Sequence, residues 1–218
     1  TMIVAKQASV RPRVLSTGST TPFPLEDEIR SFMESGAQGN IAILGIAGLG
    51  KTTALEHLAA TLPLDHRVAL LDEPKYSQLV DTPDGLVIYT SVSACLGDHL
   101  AMYQLVPWTQ DDLIEYLLAV HRPRCAAVLA RVRAADHPLL GGSPELWRMA
   151  LDRLASDDAL PDVRRALHRH LQEQLPDTDL LERARSVCLN TVATPDVSLA
   201  DALIAVSYTH LRAHETGR

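Results

Sequence analysis

Lysine is scarce in this 218-residue chain: only Lys6, Lys51 and Lys75 carry it, every other basic residue is arginine, and acids outnumber bases 27 to 20. A net charge of -7 removes the broad basic face that releases counterions from a phosphate backbone, so nucleic acid is not an expected partner. Cysteine is equally sparse. Cys95, Cys125 and Cys188 are an odd number, widely spaced and without a CxxC pair, which excludes a disulfide framework and a zinc ribbon and predicts reduced thiols. No apolar run approaches the roughly 18 to 20 residues that span a bilayer. The segment TMIVAKQASVRPRV has no continuous apolar core of the signal-peptide kind, so a soluble cytoplasmic protein without a membrane partner is expected. What the chain has is apolar material for a core, at 46% hydrophobic residues.

The apolar residues fall into two patterns. Short continuous runs at Ile41 to Leu44, Val68 to Leu71 and Leu86 to Tyr89 predict parallel strands buried on both faces. A Pro-Asp-Gly turn separates the second from the third, and Met102 to Val106 reads as a further strand at a sheet edge. Helical spacing recurs at Ile29, Phe32 and Met33, and again at Leu55, Leu58, Ala59 and Leu62 before Pro63.

Beyond Trp108 the pattern is helical throughout. Thr109 with Asp112 forms a capping-box start for the stripe Leu113, Leu117 and Val120, and residues 125 to 135 predict a second helix. Ser143 caps a third that opens with Pro144 and faces Leu146, Met149, Ala150 and Leu154 inward. Residues 161 to 189 hold one or two more, with Val163, Ala166, Leu167 and Leu171 as their apolar face. Residues 1 to 24, rich in Pro, Ser, Thr and Gly, read as a linker or entry arm. The expected class is α/β, a parallel sheet flanked by helices at 25 to 107, followed by a smaller α-helical part at 108 to 189.

One string carries chemistry. Gly45-Ile46-Ala47-Gly48-Leu49-Gly50-Lys51-Thr52 satisfies GxxxxGK[ST] between a buried strand and a helix, the context that a phosphate-binding P-loop requires. Glycines let the backbone turn tightly enough for its N–H groups to converge on an anion at a helix N-terminus. With Thr53 included, these nine residues are the candidate nucleotide site. Lys51 would reach the β- and γ-phosphates, and the Thr52 hydroxyl would complete the shell of a magnesium ion.

Asp72-Glu73 ends the second strand in the form of a Walker B, the Asp holding magnesium through water and the Glu acting as catalytic base toward the attacking water. An acidic pair capping a surface turn before Pro74 is the other reading. The short separation of about twenty residues between Thr52 and Asp72 makes the crossover compact. Thr90-Ser91 ends the third strand, either as hydroxyl sensors of the γ-phosphate or as an ordinary strand-ending pair. No NKxD motif is present to read guanine, which favours ATP. Arg122, Arg124, Arg131 and Arg133 fit a solvated helix face more simply than an arginine finger, and His168-x-His170 points its rings to different faces of a helix.

GIAGLGKTT, LLDE, LVIYTS, YQLVPWTQDDLIEYL and LGGSPELW, taken in this order across roughly residues 36 to 155, resemble the NACHT and NB-ARC branch of signal-transducing ATPases. The resemblance implies that the helical part is a lid, and that Gly142-Ser143-Pro144 corresponds to a glycine-proline element placing Pro144 near the base. It also implies a nucleotide-dependent signalling switch whose partners are a second copy of the chain or an effector or sensor domain elsewhere in a longer protein. Val92 stands where that family carries a sensor arginine, which implies slow hydrolysis. The other enzymatic expectation is a P-loop phosphotransferase with a small-molecule acceptor. Residues 190 to 206 read as a truncated continuation of the helical part, and SYTHLRAHETGR, residues 207 to 218, resembles translated sequencing adapter and is expected to be non-native.

Overall fold

The computed structural model describes residues 3–75, 79, 85–93 and 99–174. Part of the expected Pro-Asp-Gly turn, the expected helix beyond residue 174, the continuation at 190 to 206 and the tail at 207 to 218 lie outside these residues. The chain divides into two compact units between Val106 and Pro107.

The first unit is built on one six-stranded sheet. Its strands are β1 (Arg13–Ser16), β2 (Phe23–Pro24), β3 (Gly39–Leu44), β4 (Val68–Leu71), β5 (Leu86–Ser91) and β6 (Ala101–Leu105), in the order β2-β1-β6-β3-β5-β4. Two helices accompany it, α1 (Leu25–Glu34) and α2 (Lys51–Thr61). Strands β6, β3, β5 and β4 run parallel, but β1 pairs antiparallel with both β6 and β2, so the sheet is mixed where an all-parallel one was expected. The residues read as a linker supply that antiparallel edge: Val14, fully buried, pairs with Leu105. This also moves β6 from the expected edge to the interior, between β1 and β3. Its Tyr103 and Leu105 are buried accordingly.

Burial follows the sequence pattern. Ile41, Ala42 and Ile43 in β3 are fully buried, as a strand covered on both faces demands. Leu55 and Leu58 of α2 pack with Leu25 and Ile29 of α1 and with Ile41, Ile43 and Ile88 in a single core.

The second unit is helical among the described residues: α3 (Gln110–Val120), a 3-10 turn (Arg122–Arg124), α4 (Cys125–Leu129), α5 (Asp136–Leu140), α6 (Pro144–Ser156) and α7 (Val163–Gln174). Both predicted starts hold. The Thr109 backbone N–H and hydroxyl each donate to Asp112 Oδ2 at 2.7 Å, and Ser143 caps α6 with Pro144 in its first turn. The helix expected over 125 to 135 stops at Leu129, and Val120 is 46% exposed while Tyr116 takes the buried place beside Leu113 and Leu117. In α6, Trp147 and Leu151 are buried where Met149 was expected.

Candidate functional site

The carboxyl ends of parallel strands are where open α/β sheets bind ligands, and the glycine loop leaves β3 at that edge. Gly48 and Gly50 have φ of 77° and 89°, the left-handed region that costs a side chain strain and a glycine nothing. Gly50 then serves as N-cap of α2 with no side-chain cap, and the first turn, Lys51-Thr52-Thr53, contains no acid. A helix start of this kind presents backbone donors and the positive end of its dipole to an anion. Leu49 is buried and Ile46 is 54% exposed, so one loop side chain anchors the turn and another stands in solvent.

Register brings the other candidates to the same edge. Leu44 of β3 pairs with Ser91 of β5, and the Gly45 N–H continues the ladder to Ser91 O at 3.0 Å. Leu71 of β4 pairs with Tyr89, so the residues that follow, Asp72 and Thr90, fall side by side. The crossover through α2 skips one strand position, which β5 fills. That answers the compact spacing between Thr52 and Asp72: the helix start projects past β5 to the acidic end of β4.

The resulting contacts form one chain. Thr52 Oγ1 donates to Asp72 Oδ2 at 2.9 Å, and Thr90 Oγ1 donates to Asp72 Oδ1 at 2.7 Å. Thr90 Oγ1 in turn accepts from the Glu73 backbone N–H at 2.9 Å. Lys51, only 7% exposed, donates to Ile46 O at 3.2 Å and lies 3.1 Å from Glu73 Oε1. Glu73 is itself in a left-handed conformation, φ 45°, the one described non-glycine residue with positive φ. Lys51, Thr52, Asp72, Glu73 and Thr90 are therefore gathered in one place by three different segments.

The remaining two candidates are Ser91 and Pro144. The Ser91 hydroxyl donates to Ser93 O at 2.7 Å, an internal turn contact. Pro144 belongs to the second unit, where it opens α6. Sequence reasoning missed that Thr90, fully buried, spends its hydroxyl on the two acidic residues. Strand order would have revealed it, and strand order is not written in a single sequence.

Thr52 and Asp72 offer oxygen donors alone, the chemistry a hard divalent cation takes, and magnesium is usually held by one or two protein oxygens with phosphates and water supplying the rest. Among the described residues no group of three or more His, Cys, Asp or Glu side chains gathers to hold a metal unaided. No described helix is long and apolar enough to cross a membrane.

The second unit has its own polar cluster. Asp152 Oδ1 accepts from the Tyr116 hydroxyl and meets His121 Nε2, each at 2.7 Å. Burial first, and the Asp152 carboxylate second, push the Tyr116 hydroxyl up to about 12. A groove of about 550 Å³ beside Asp152 is lined by Glu145, Arg148, Met149, Arg153 and His170.

No protein-family model matches the chain, and no curated protein matches it.

Proposed function

We propose that this chain is a P-loop nucleoside-triphosphate-binding module, taking ATP with magnesium and hydrolysing it slowly, and that it acts as a nucleotide-dependent signalling switch in the cytoplasm. The observation that carries the reading is the hydrogen-bonded series Thr52, Asp72, Thr90 beside Lys51. A glycine loop alone is a turn. A glycine loop whose lysine and threonine meet an aspartate from a separate strand is an arrangement suited to phosphate and a divalent cation together.

In this reading the loop amides of residues 45 to 53 and the start of α2 hold the phosphates, and Lys51 supplies a positive charge to the β- and γ-oxygens. Thr52 and Asp72 would hold magnesium, which would supply charge neutralisation at the phosphates. Glu73 is placed to orient a water and accept its proton. Thr90 keeps Asp72 in position, and Thr90 with Ser91 is the candidate sensor of the γ-phosphate. The switch role, the lid role of the helical unit and the place of Pro144 at the base rest on the resemblance to NACHT and NB-ARC ATPases, with self-association or an effector domain as the output.

Thermal unfolding of the full chain with and without Mg-ATP, Mg-ADP and Mg-GTP tests the reading. Ligand at about 100 times its Kd adds roughly 2.7 kcal/mol, a midpoint rise on the order of 5 to 10 °C at this size. The rise should occur with adenine nucleotides and vanish in Lys51→Ala. A folded sample with no rise defeats the proposal, and ADP release that depends on an added small-molecule acceptor replaces the switch with a phosphotransferase.

A further inference from the structure

The ammonium of Lys51 is nearly removed from solvent, and a charge so placed must be neutralised. Here the neutralising group is the carboxylate of Glu73, 3.1 Å away, with Ile46 O at 3.2 Å as the other partner. Glu73 reaches this position at a cost. Its backbone is left-handed, and its N–H is pinned to the Thr90 hydroxyl, so the side chain is directed back across the site. At 56% exposure it has open solvent as an alternative.

We infer that the Glu73 carboxylate occupies the phosphate position on Lys51 and must be displaced by the nucleotide, so that occupancy itself sets Glu73 free to serve water. This deepens the nucleotide-binding proposal and rests on it. A carboxylate and a phosphate oxygen are competing anions for one ammonium. While Glu73 neutralises Lys51 it is turned away from a water at the γ-phosphate; once a phosphate takes Lys51, the freed carboxylate has only water and the cation's surroundings to serve. Lys51 is thereby shielded until a phosphate reaches it, and binding and the arming of the catalytic base are one event.

Calorimetric titration of Mg-ATP and Mg-ADP into the full chain, its Glu73→Gln and Glu73→Asp forms, and Lys51→Ala tests this. Glu73→Gln gives up the ion pair and the charge. Glu73→Asp keeps the charge at the site but is one methylene too short to span to Lys51. Competition predicts that both variants bind about two- to fivefold more tightly, the scale of a partly exposed ion pair. Tightening in Glu73→Gln alone would mean general repulsion of phosphate and overturns the inference, as does unchanged affinity in both. Absence of binding in the unsubstituted chain and in both variants defeats the nucleotide reading itself, which Lys51→Ala examines separately.

Discussion

Thr90 donates its hydroxyl to Asp72 Oδ1 at 2.7 Å from a position with no solvent exposure. The same oxygen accepts the Glu73 N–H, so a single buried hydroxyl fixes both residues of the acidic pair. A carboxylate held on one oxygen by Thr90 and on the other by Thr52 has little rotational freedom left, which is the preorganisation that a cation site requires.

Thr90→Val is nearly isosteric but leaves the Glu73 N–H and one Asp72 oxygen without their partner. Each lost, partly buried hydrogen bond costs about 0.5 to 1.5 kcal/mol, so the unfolding midpoint should fall. Magnesium-dependent nucleotide binding should weaken more than binding in chelator, because Asp72 is the residue released. Thr90→Ser, which keeps the hydroxyl, should restore both. Equal weakening with and without magnesium would show that Thr90 serves stability alone.

The glycine string, the acidic pair and the hydroxyl pair were all legible in sequence because each is a local pattern at the end of a short apolar run. Their assembly was not. Which strand lies between β3 and β4 is decided by pairing over long sequence separations, and Met102 to Val106 reads as an edge although its neighbour β1 lies among residues whose composition suggests an arm. Polar composition hid Val14, a single fully buried position in a four-residue strand. Arg131 was misread for a related reason: charge is visible in sequence, whereas the carbonyls that absorb it are not.

Arg131 shows this directly. Its guanidinium donates to Ala127 O, Leu154 O, Asp157 O and Leu160 O at 2.6 to 3.1 Å, closing the end of α6 and the turn that follows. A planar fork of five donors makes such a set possible, and a lysine does not reproduce it. Arg131→Lys should destabilise the chain by about 2 kcal/mol in denaturant unfolding even though the charge is kept. An unchanged midpoint would return Arg131 to the solvated surface that sequence suggested.

Gly142 has φ of 68°, and a Cβ built there would lie 2.5 Å from the Pro107 Cβ and 3.1 Å from the Trp108 carbonyl oxygen. Gly142 O also accepts the Trp108 N–H at 2.8 Å, so the backbone has no room to retreat without losing that bond. Gly142→Ala combines left-handed strain, on the order of 1 to 2 kcal/mol, with a steric clash. The expected loss is about 2 to 4 kcal/mol in thermal or denaturant unfolding. A loss below about 1 kcal/mol would mean that the Pro107-Trp108 segment can shift at little cost.

Glu26 governs an acid-sensitive contact between residues 8 to 11, α1 and α2. Its carboxylate is 2.6 Å from Arg11 and its Oε2 lies 3.6 Å from His57 Nε2, while His57 Nδ1 accepts the Ala8 N–H at 3.2 Å. Burial would raise the Glu26 carboxyl, but the hydrogen bonds from its own backbone and from Arg11, with the charge of Arg11, bring it below its ordinary value of 4.5. A lowered folded value means that the unfolded chain takes up the proton first as pH falls. The stabilisation is therefore complete above pH 4.5, shrinks below it, and is gone once the pH passes below the folded value. Glu26→Gln should lower the unfolding midpoint at pH 7, and the difference from the unsubstituted chain should close as the pH is taken below 4. Midpoint curves that stay parallel from pH 7 to pH 3 would show that Glu26 stabilises through its shape and hydrogen bonds rather than through its charge.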